Sequence, residues 1–370
     1  MSVLRRKWVM GWSRKGNVVT LAAALAFGGI ASAAGVDPAD AAAYGARLEI
    51  SSKPFLVEGK KIYLPAAIVN GESYIGLRSL NDRLGIGTAW NPKTKDTLLN
   101  GRGRTMQLSA AGEYRLNGEK AYASPAYVQA DSTFVPLRFV LESFGYSIGY
   151  DAASKTVSIE PIEENRANWT SEQLTYAAAK QSLTVSYPVF SSMDDDAAQA
   201  KINAKLKSDA ERYAASARNA LALAAKENAE AEKDNPDVTI PPVEYEGVYE
   251  VTYNEAGRIS LYVDYYLYTG GAHGATERVP YTFDLKTGEQ LTLKDIAGAG
   301  SDYVAAINGS IQKQIKQQKL ELLVPFETIE ADRPFFLKHG AVVVYFNQYE
   351  YTPYAAGMPE FVVPLGAFVH

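Results

Sequence analysis

An internal repeat constrains the fold of this chain more than any other feature. The segment 74–86, Tyr-Ile-Gly-Leu-Arg-Ser-Leu-Asn-Asp-Arg-Leu-Gly-Ile, is matched without a gap sixty residues later by 134–146, Phe-Val-Pro-Leu-Arg-Phe-Val-Leu-Glu-Ser-Phe-Gly-Tyr. Self-similarity at a fixed spacing marks repeated structural units. In each copy, apolar residues recur at helical spacing and a glycine, Gly85 or Gly145, follows where a left-handed helix C-cap belongs. We therefore predict a duplicated strand-helix-hairpin domain over residues 51–161.

This repeated segment resembles the family named after the N-terminal domain of copper amine oxidases. The resemblance implies a small stalk or wall-facing module of an exported bacterial protein. It does not imply a copper site, because no His or Cys lies between Ala34 and Gly271 to supply imidazole or thiolate ligands. We expect neither a metal nor a cofactor.

The first 33 residues have the organisation of a secretory signal peptide. Five basic residues and no acid within 1–15 precede an uncharged stretch, 18–30, and the small-residue site Ala31-Ser32-Ala33. The apolar stretch is shorter than the ~20 residues of a spanning helix. We therefore expect cleavage, an extracellular or cell-envelope location and no membrane span in the mature chain. Residues 34–50, rich in Ala, Gly and Asp, are predicted to be a flexible lead-in.

Composition narrows the possible classes of function. The chain has no cysteine, which excludes a lipoprotein anchor, a disulfide scaffold and a thiol nucleophile. The formal net charge is −5, and removing five basic residues with the signal peptide makes it −10. An acidic exported protein is a poor candidate for nucleic acid and a better one for a cationic partner.

After a polar linker, 162–170, the remainder of the chain forms a second module, 171–370. A strand near 183–190 precedes a long Ala-rich helix capped by Asp194, and strands dominate afterwards except for a shorter helix near 303–317. We predict an α+β fold, in which an antiparallel sheet packs with one long and one shorter helix.

Four segments of this module carry a second resemblance. They are 268–274 (Tyr-Thr-Gly-Gly-Ala-His-Gly), 281–289, 342–346 and 349–357. They resemble the extracellular domain shared by the lysozyme-sensing anti-sigma factor RsiV and the PdaC-type peptidoglycan deacetylases. The resemblance implies an envelope-facing recognition module whose partner is a lysozyme-like protein or a cell-wall glycan. This sequence shows neither a sigma-binding segment nor a deacetylase metal motif, so we expect neither sigma-factor control nor deacetylation.

Two loops hold the candidate binding residues. Glycines in the first loop permit a close backbone approach to a ligand, and tyrosines in the second are suited to anchor a partner. These residues are Gly270, Gly271, His273, Tyr349, Tyr351 and Tyr354. We predict that the loops 269–275 and 349–357 lie near one another. A lone histidine here is open to three interpretations: a bond to a backbone carbonyl in a tight loop, a contact with a partner, or acid-base catalysis.

No catalytic residue is assigned, because the sequence lacks a nucleophile elbow and has too few histidines for a triad. Our first hypothesis is a secreted, non-catalytic envelope protein that contacts the cell wall and a lysozyme-like protein or glycan. The alternatives are a peptidoglycan-modifying enzyme or its accessory factor, and a purely structural surface protein. The sequence contains no feature that specifies the oligomeric state.

Overall fold

The computed structural model describes residues 47–129, 131–298 and 300–368. The predicted signal peptide and most of the lead-in lie outside the described residues. The end of the lead-in belongs to the folded domain, because Leu48 is only 4% exposed. Its backbone N–H donates to Oε1 of Gln129 at 2.7 Å.

The N-terminal domain consists of short strands and two short helices. Its strands are β1 (Ser51–Val57), β2 (Lys60–Val69), β3 (Glu72–Gly76), β4 (Gly87–Trp90), β5 (Thr97–Gly101), β6 (Arg104–Leu108), β7 (Tyr114–Leu116), β8 (Glu119–Ala121), β9 (Tyr127–Gln129), β10 (Ser132–Pro136), β11 (Tyr146–Asp151) and β12 (Thr156–Pro161). Its helices are α1 (Leu77–Leu84) and α2 (Leu137–Ser143). Sheet A has the strand order β11-β12-β1-β2-β3-β10-β9, and sheet B has the order β4-β5-β6-β7-β8.

The two predicted repeat units have the same local order of strand, helix and hairpin, namely β3-α1-β4-β5 and β10-α2-β11-β12. The strands β3 and β10 are antiparallel neighbours, and Ile75 pairs with Val135, the residue sixty positions later. Two equivalent units related by a local two-fold axis would produce this register. Their origin by duplication stays a prediction. Helices α1 and α2 contribute Leu80 and Val140 to one shared core, where both are fully buried.

The C-terminal domain contains two sheets, three α-helices and two short 3-10 helices, Tyr354–Ala356 and Leu365–Phe368, within the described residues. Its strands are β13 (Asn168–Ala178), β14 (Gln181–Ser191), β15 (Val243–Glu255), β16 (Arg258–Tyr268), β17 (Ala275–Asp284), β18 (Phe335–Lys338), β19 (Ala341–Tyr345) and β20 (Glu360–Pro364). Its helices are α3 (Asp196–Asp234), α4 (Leu293–Ala297) and α5 (Tyr303–Gln318). Sheet C has the order β13-β14-β15-β16-β17, and sheet D has the order β18-β19-β20.

Helix α3 is the predicted long helix, and it is unbroken over 39 residues. The cap is Asp195, one residue later than expected, whose side chain accepts from the backbone N–H of Ala198 at 2.8 Å. Ile202, Leu206 and Leu221 of this helix are buried against sheet C. Among the described residues, no helix is both long and apolar enough to cross a bilayer.

The prediction of one antiparallel sheet in this domain is wrong in two respects. Strand β15 runs parallel to β14, because α3 carries the chain back across the sheet before β15 begins. The last three strands form sheet D rather than joining sheet C. Residues on one side of sheet D, such as Phe336, pack against Tyr262 of sheet C, and those on the other side, such as Leu337, pack against α5. The layers are therefore α3, sheet C, sheet D and α5.

Candidate functional site

The loop 269–275 connects β16 to β17 and depends on two of its glycines. Gly270 has a φ of +93°, and a Cβ there would lie 2.5 Å from Nδ2 of Asn228. A Cβ on Gly274 would lie 2.4 Å from the ring of Tyr266. Gly271, by contrast, faces open space, so its role as a binding residue stays a prediction. The loop is anchored to α3, since Asn228 donates from Nδ2 to the carbonyl of Thr269 at 2.9 Å.

His273 lies at the centre of a small aromatic group. Its ring stacks on that of Tyr354, with a centroid distance of 3.8 Å and an interplanar angle of 20°. Its Nδ1 is 3.0 Å from the carbonyl oxygen of Gly274, which requires a proton on Nδ1. In a neutral ring with that proton, Nε2 accepts from the hydroxyl of Tyr349 at 3.3 Å. The structure thus brings together the two loops that the sequence predicts to be neighbours.

Tyr349 is the more exposed of the two tyrosines in this group. Its side chain is 55% exposed, and its φ is +63°. A positive φ is rare for a bulky residue and costs of order 1–3 kcal/mol, so it persists only where the surrounding structure imposes it. Here the next residue, Glu350, is fixed by two groups. It accepts from Nη2 of Arg333 and from the backbone N–H of Asn347, both at 2.8 Å.

Glu350 is held as a carboxylate. Burial alone would raise its pKa, but the hydrogen bonds from Arg333 and Asn347 outweigh burial and hold the pKa below the usual value for glutamate. The first loop is tied to the same segment, because the backbone N–H of Thr276 donates to Oε1 of Gln348 at 2.8 Å. The two loops are therefore fixed to each other before any partner binds.

Tyr351 lies apart from the other two tyrosines. Its ring is half-buried and packs on Phe346, at a centroid distance of 4.4 Å, and on Phe326, at 5.5 Å. These contacts belong to the core between sheet D and α5. Two tyrosines that are two residues apart in a loop need not point in the same direction. Their spacing in the sequence therefore could not show that Tyr351 packs in the core while Tyr349 is exposed.

Two exposed aliphatic residues that we did not predict adjoin the tyrosine loop. Leu323 and Val324 are 56% and 50% exposed. The backbone N–H of Leu323 donates to the carbonyl of Tyr351 at 2.7 Å, which fixes this segment to the loop. The sequence feature that could have identified these two residues is an apolar run outside any predicted helix or strand. We call His273, Tyr349, Tyr354, Leu323 and Val324 together the aromatic surface.

The aromatic surface offers groups suited to contact with a partner. Within the part of the chain that the structure describes, His273 pairs with no carboxylate, and both of its ring nitrogens are engaged. Among the described residues, no group of three or more His, Cys, Asp or Glu side chains is arranged to hold a metal ion. The other described histidine, His339, pairs with Glu255 at 2.8 Å beside the β18–β19 turn.

A buried charge network, also not predicted, joins sheets C and D. The side chain of Arg278 is 1% exposed and binds Asp264 through two hydrogen bonds and Glu360 through one. Lys338 adds a second cation 3.1 Å from Glu360. Burial would raise the pKa of Glu360, but Lys338 and Arg278 outweigh it and hold the pKa below the usual value. The network fixes β17, which follows the His273 loop, to β20, which follows the tyrosine loop.

Three protein families match successive parts of the chain. The copper amine oxidase N-terminal domain matches residues 47–159, deacetylase PdaC matches residues 176–276, and the family of unknown function DUF3298 matches residues 294–366. The His273 loop therefore falls in the PdaC segment, and the tyrosine loop falls in the DUF3298 segment.

The chain is also similar to individual proteins. It is 30% identical over 139 residues to anti-sigma-V factor RsiV of Bacillus subtilis strain 168, an alignment that covers 30% of this chain and 48% of that protein. The chain thus matches about half the length of this curated relative. A DUF3298 family member from Bacteroides fragilis is 20% identical, with 56% of this chain and 94% of that one covered and a TM-score of 0.42. Another from Pseudomonas aeruginosa PAO1 is 18% identical, with 54% and 92% covered and a TM-score of 0.35.

The predicted resemblances are therefore confirmed at the level of domains: the chain carries a copper amine oxidase N-terminal domain followed by PdaC and DUF3298 domains, and it is a distant homologue of RsiV.

Proposed function

We propose that this protein is an exported, non-catalytic recognition protein of the cell envelope, and that its C-terminal domain binds a cationic lysozyme-like protein through the aromatic surface. The N-terminal domain would serve as the stalk or wall-contacting module. The lysozyme-like partner is the class implied by the resemblance to the RsiV-type extracellular domain.

The observation that carries this proposal is the exposed and pre-organised state of Tyr349. Its ring projects into solvent on a strained backbone that Glu350 and Arg333 hold in place. Aromatic side chains fixed before binding lose little conformational entropy at an interface and are frequent hot spots. Leu323 and Val324, whose segment is hydrogen-bonded to the same loop at Tyr351, add exposed apolar area.

The distribution of charge supports a cationic partner. Residues 171–370 contain 27 acidic and 17 basic residues, a net charge of −10, whereas residues 34–170 contain 15 of each. The acidity thus belongs to the domain that carries the aromatic surface. Opposite charge increases the rate of association with a basic protein and makes it sensitive to salt.

The test is the affinity for a strongly basic lysozyme, measured by biolayer interferometry with the chain immobilised. Truncating a buried aromatic anchor costs ~2 kcal/mol or more. We therefore expect Tyr349→Ala with Tyr354→Ala to weaken binding at least tenfold. The matched control is Tyr63→Ala with Tyr150→Ala, which removes two tyrosines of the N-terminal domain that are 62% and 46% exposed. Equal affinities of the two double variants, or no binding by the unaltered chain, would reject the proposal.

A further inference from the structure

We propose that a cleft between the two domains binds a neutral, N-acetylated oligosaccharide. The cleft, which we call the junction cleft, has a volume of about 750 Å³ and is lined by residues of both domains. The argument uses Asn117, Glu119, Trp169, Thr170 and Gln173. The proposal goes beyond the protein-binding function above, because it concerns a different surface and a different ligand.

The walls of the junction cleft come from two strand edges. One wall is the β7–β8 hairpin, and β8 is an outer strand of sheet B. The other is the first half of β13, which is an outer strand of sheet C. Sites for small ligands occur preferentially at domain interfaces and measure roughly 300–1,000 Å³, so the junction cleft is large enough for a short oligosaccharide.

Direct contacts between the domains hold these walls at their spacing. Glu119 is only 7% exposed and accepts hydrogen bonds from Oγ of Ser171 and from Nε2 of Gln173. Next to it, Nζ of Lys120 lies 3.4 Å from a carboxylate oxygen of Glu246. A buried carboxylate that receives donors from the opposite wall keeps the cleft in a defined shape.

The lining offers hydrogen-bonding groups and one aromatic wall. Asn117 accepts at Oδ1 from the backbone N–H of Thr105 at 2.9 Å, which leaves its Nδ2 as a donor. Gln173 donates from Nε2 to Glu119 and to Ser186, which leaves its Oε1 as an acceptor. The ring of Trp169 is half-buried and lines the cleft. The guanidinium of Arg104 lies 5.2 Å from its centroid, and the ring of Phe190 lies 6.1 Å away at an interplanar angle of 59°.

This lining selects among ligand classes. No basic residue lines the cleft, and Glu119 adds negative charge, so a polyanion is disfavoured. One carboxylate is too few for a cation site. One apolar side chain is too few for a lipid.

A neutral sugar with an acetamido group satisfies the groups that are present. Its carbonyl can accept from Asn117, its N–H can donate to Gln173 or Glu119, and its methyl group and C–H faces can contact Trp169. Its hydroxyls, which both donate and accept, suit the exposed hydroxyl of Thr170.

Fluorescence provides a direct test, because the chain contains only four tryptophans. Replacing Trp8, Trp12 and Trp90 by Phe leaves Trp169 as the sole tryptophan of the full chain. Titration with a β-1,4-linked tetramer of N-acetylglucosamine should change its emission saturably. The glucose tetramer of the same linkage, which lacks the acetamido groups, should bind at least about tenfold more weakly, because the groups of the cleft that pair with the amide would remain unpaired.

Two variants locate the binding. Thr170→Phe places a large side chain in the cleft at an exposed strand position and should abolish binding, whereas Thr175→Phe, on the exposed end of the same strand, should not. Gln173→Ala removes one hydrogen-bonding group and should weaken binding by about threefold to tenfold. If Thr170→Phe fails to fold, as judged by circular dichroism, Gln173→Ala decides the question. Absence of binding by the parent protein, equal binding of the two tetramers, or binding unchanged by both Thr170→Phe and Gln173→Ala would overturn the proposal.

Discussion

Replacing Arg278 by Met should destabilise the C-terminal domain far more than an exposed substitution. The guanidinium makes three hydrogen bonds of 2.7–2.8 Å, two to Asp264 and one to Glu360, and lies 3.8 Å from the ring centroid of Tyr262. Methionine fills a similar volume, so little cavity results. It leaves Glu360, whose side chain is 4% exposed, with Lys338 as its remaining cation.

The magnitude follows from the burial of the pair. Removing one partner of a buried ion pair costs about 3–5 kcal/mol, because the other charge remains desolvated. Adding Glu360→Gln to Arg278→Met should therefore recover about 1 kcal/mol or more, since one of the two carboxylates that lose Arg278 is then neutral. The control is Lys207→Met, which breaks an exposed pair with Glu211 and should cost less than about 1 kcal/mol.

The assay is urea unfolding followed by the emission of Trp169, with Trp8, Trp12 and Trp90 replaced by Phe. Trp169 packs on Phe190 at the edge of the core between α3 and sheet C, so it reports on the C-terminal domain. With a slope of about 2 kcal/mol per molar urea, Arg278→Met should lower the midpoint by about 1.5–2.5 M. A loss no larger than that of Lys207→Met, or no recovery with Glu360→Gln, would refute the view that this network joins the two sheets.

Two further predictions concern single residues. Burial raises the pKa of Glu250, despite the opposing effect of Lys338 and of the hydrogen bond from Tyr262. A raised folded-state pKa means that the contribution of Glu250 to stability is complete below the unfolded value and is lost as pH rises through the folded value. Glu250→Gln should therefore be at least as stable as the parent at pH 7, and it should flatten the decline in stability that urea titrations of the parent show as pH rises above ~4.5. Gly274→Ala should displace the His273 loop, because the new Cβ would meet the ring of Tyr266 and the carbonyl of Leu267 within 2.5 Å. Its expected signature is a lysozyme affinity reduced at least threefold with a urea midpoint lowered by no more than about 1 M, and unchanged binding would contradict the assigned role of the loop.

Local patterns in the sequence were sufficient to predict most individual helices and strands. The long helix α3 could be predicted because alanines with high helix propensity follow a capping aspartate. The β15–β16 hairpin could be predicted because two strand patterns flank a short glycine-containing turn. The turn has two residues between the paired Glu255 and Arg258, and both of them, Ala256 and Gly257, have positive φ.

Local patterns mislead where two local signals compete. Residues 290–293, Gln-Leu-Thr-Leu, alternate polar and apolar side chains, a pattern typical of a strand. Instead Thr292 and Asp295 form a capping box that begins α4, and only Gln290 makes a bridge, to Phe283. A capping signal with good hydrogen-bond geometry outweighs a strand pattern only four residues long.

Long-range features could not be obtained from local patterns. Asp264 and Arg278 alternate with apolar residues, which is typical of a strand with one solvent-facing side. Sheet D covers that side, so Arg278 is buried, Asp264 is partly buried, and the two charges must pair. The packing of Tyr351 and the junction cleft could not be predicted for the same reason. Each depends on which layer of the fold packs against the segment, and the sequence of a single strand or loop does not specify its packing partner.

Hydrogen-deuterium exchange of the full chain, with and without a saturating basic lysozyme, tests the central claim most directly. Binding through the aromatic surface predicts slower exchange in peptides that cover 269–275, 320–325 and 349–357. Peptides from the exposed N-terminal hairpins 87–101 and 146–161 should exchange at the same rate in both states. Protection confined to α3 or to the N-terminal domain, with unchanged exchange in 349–357, would contradict the account.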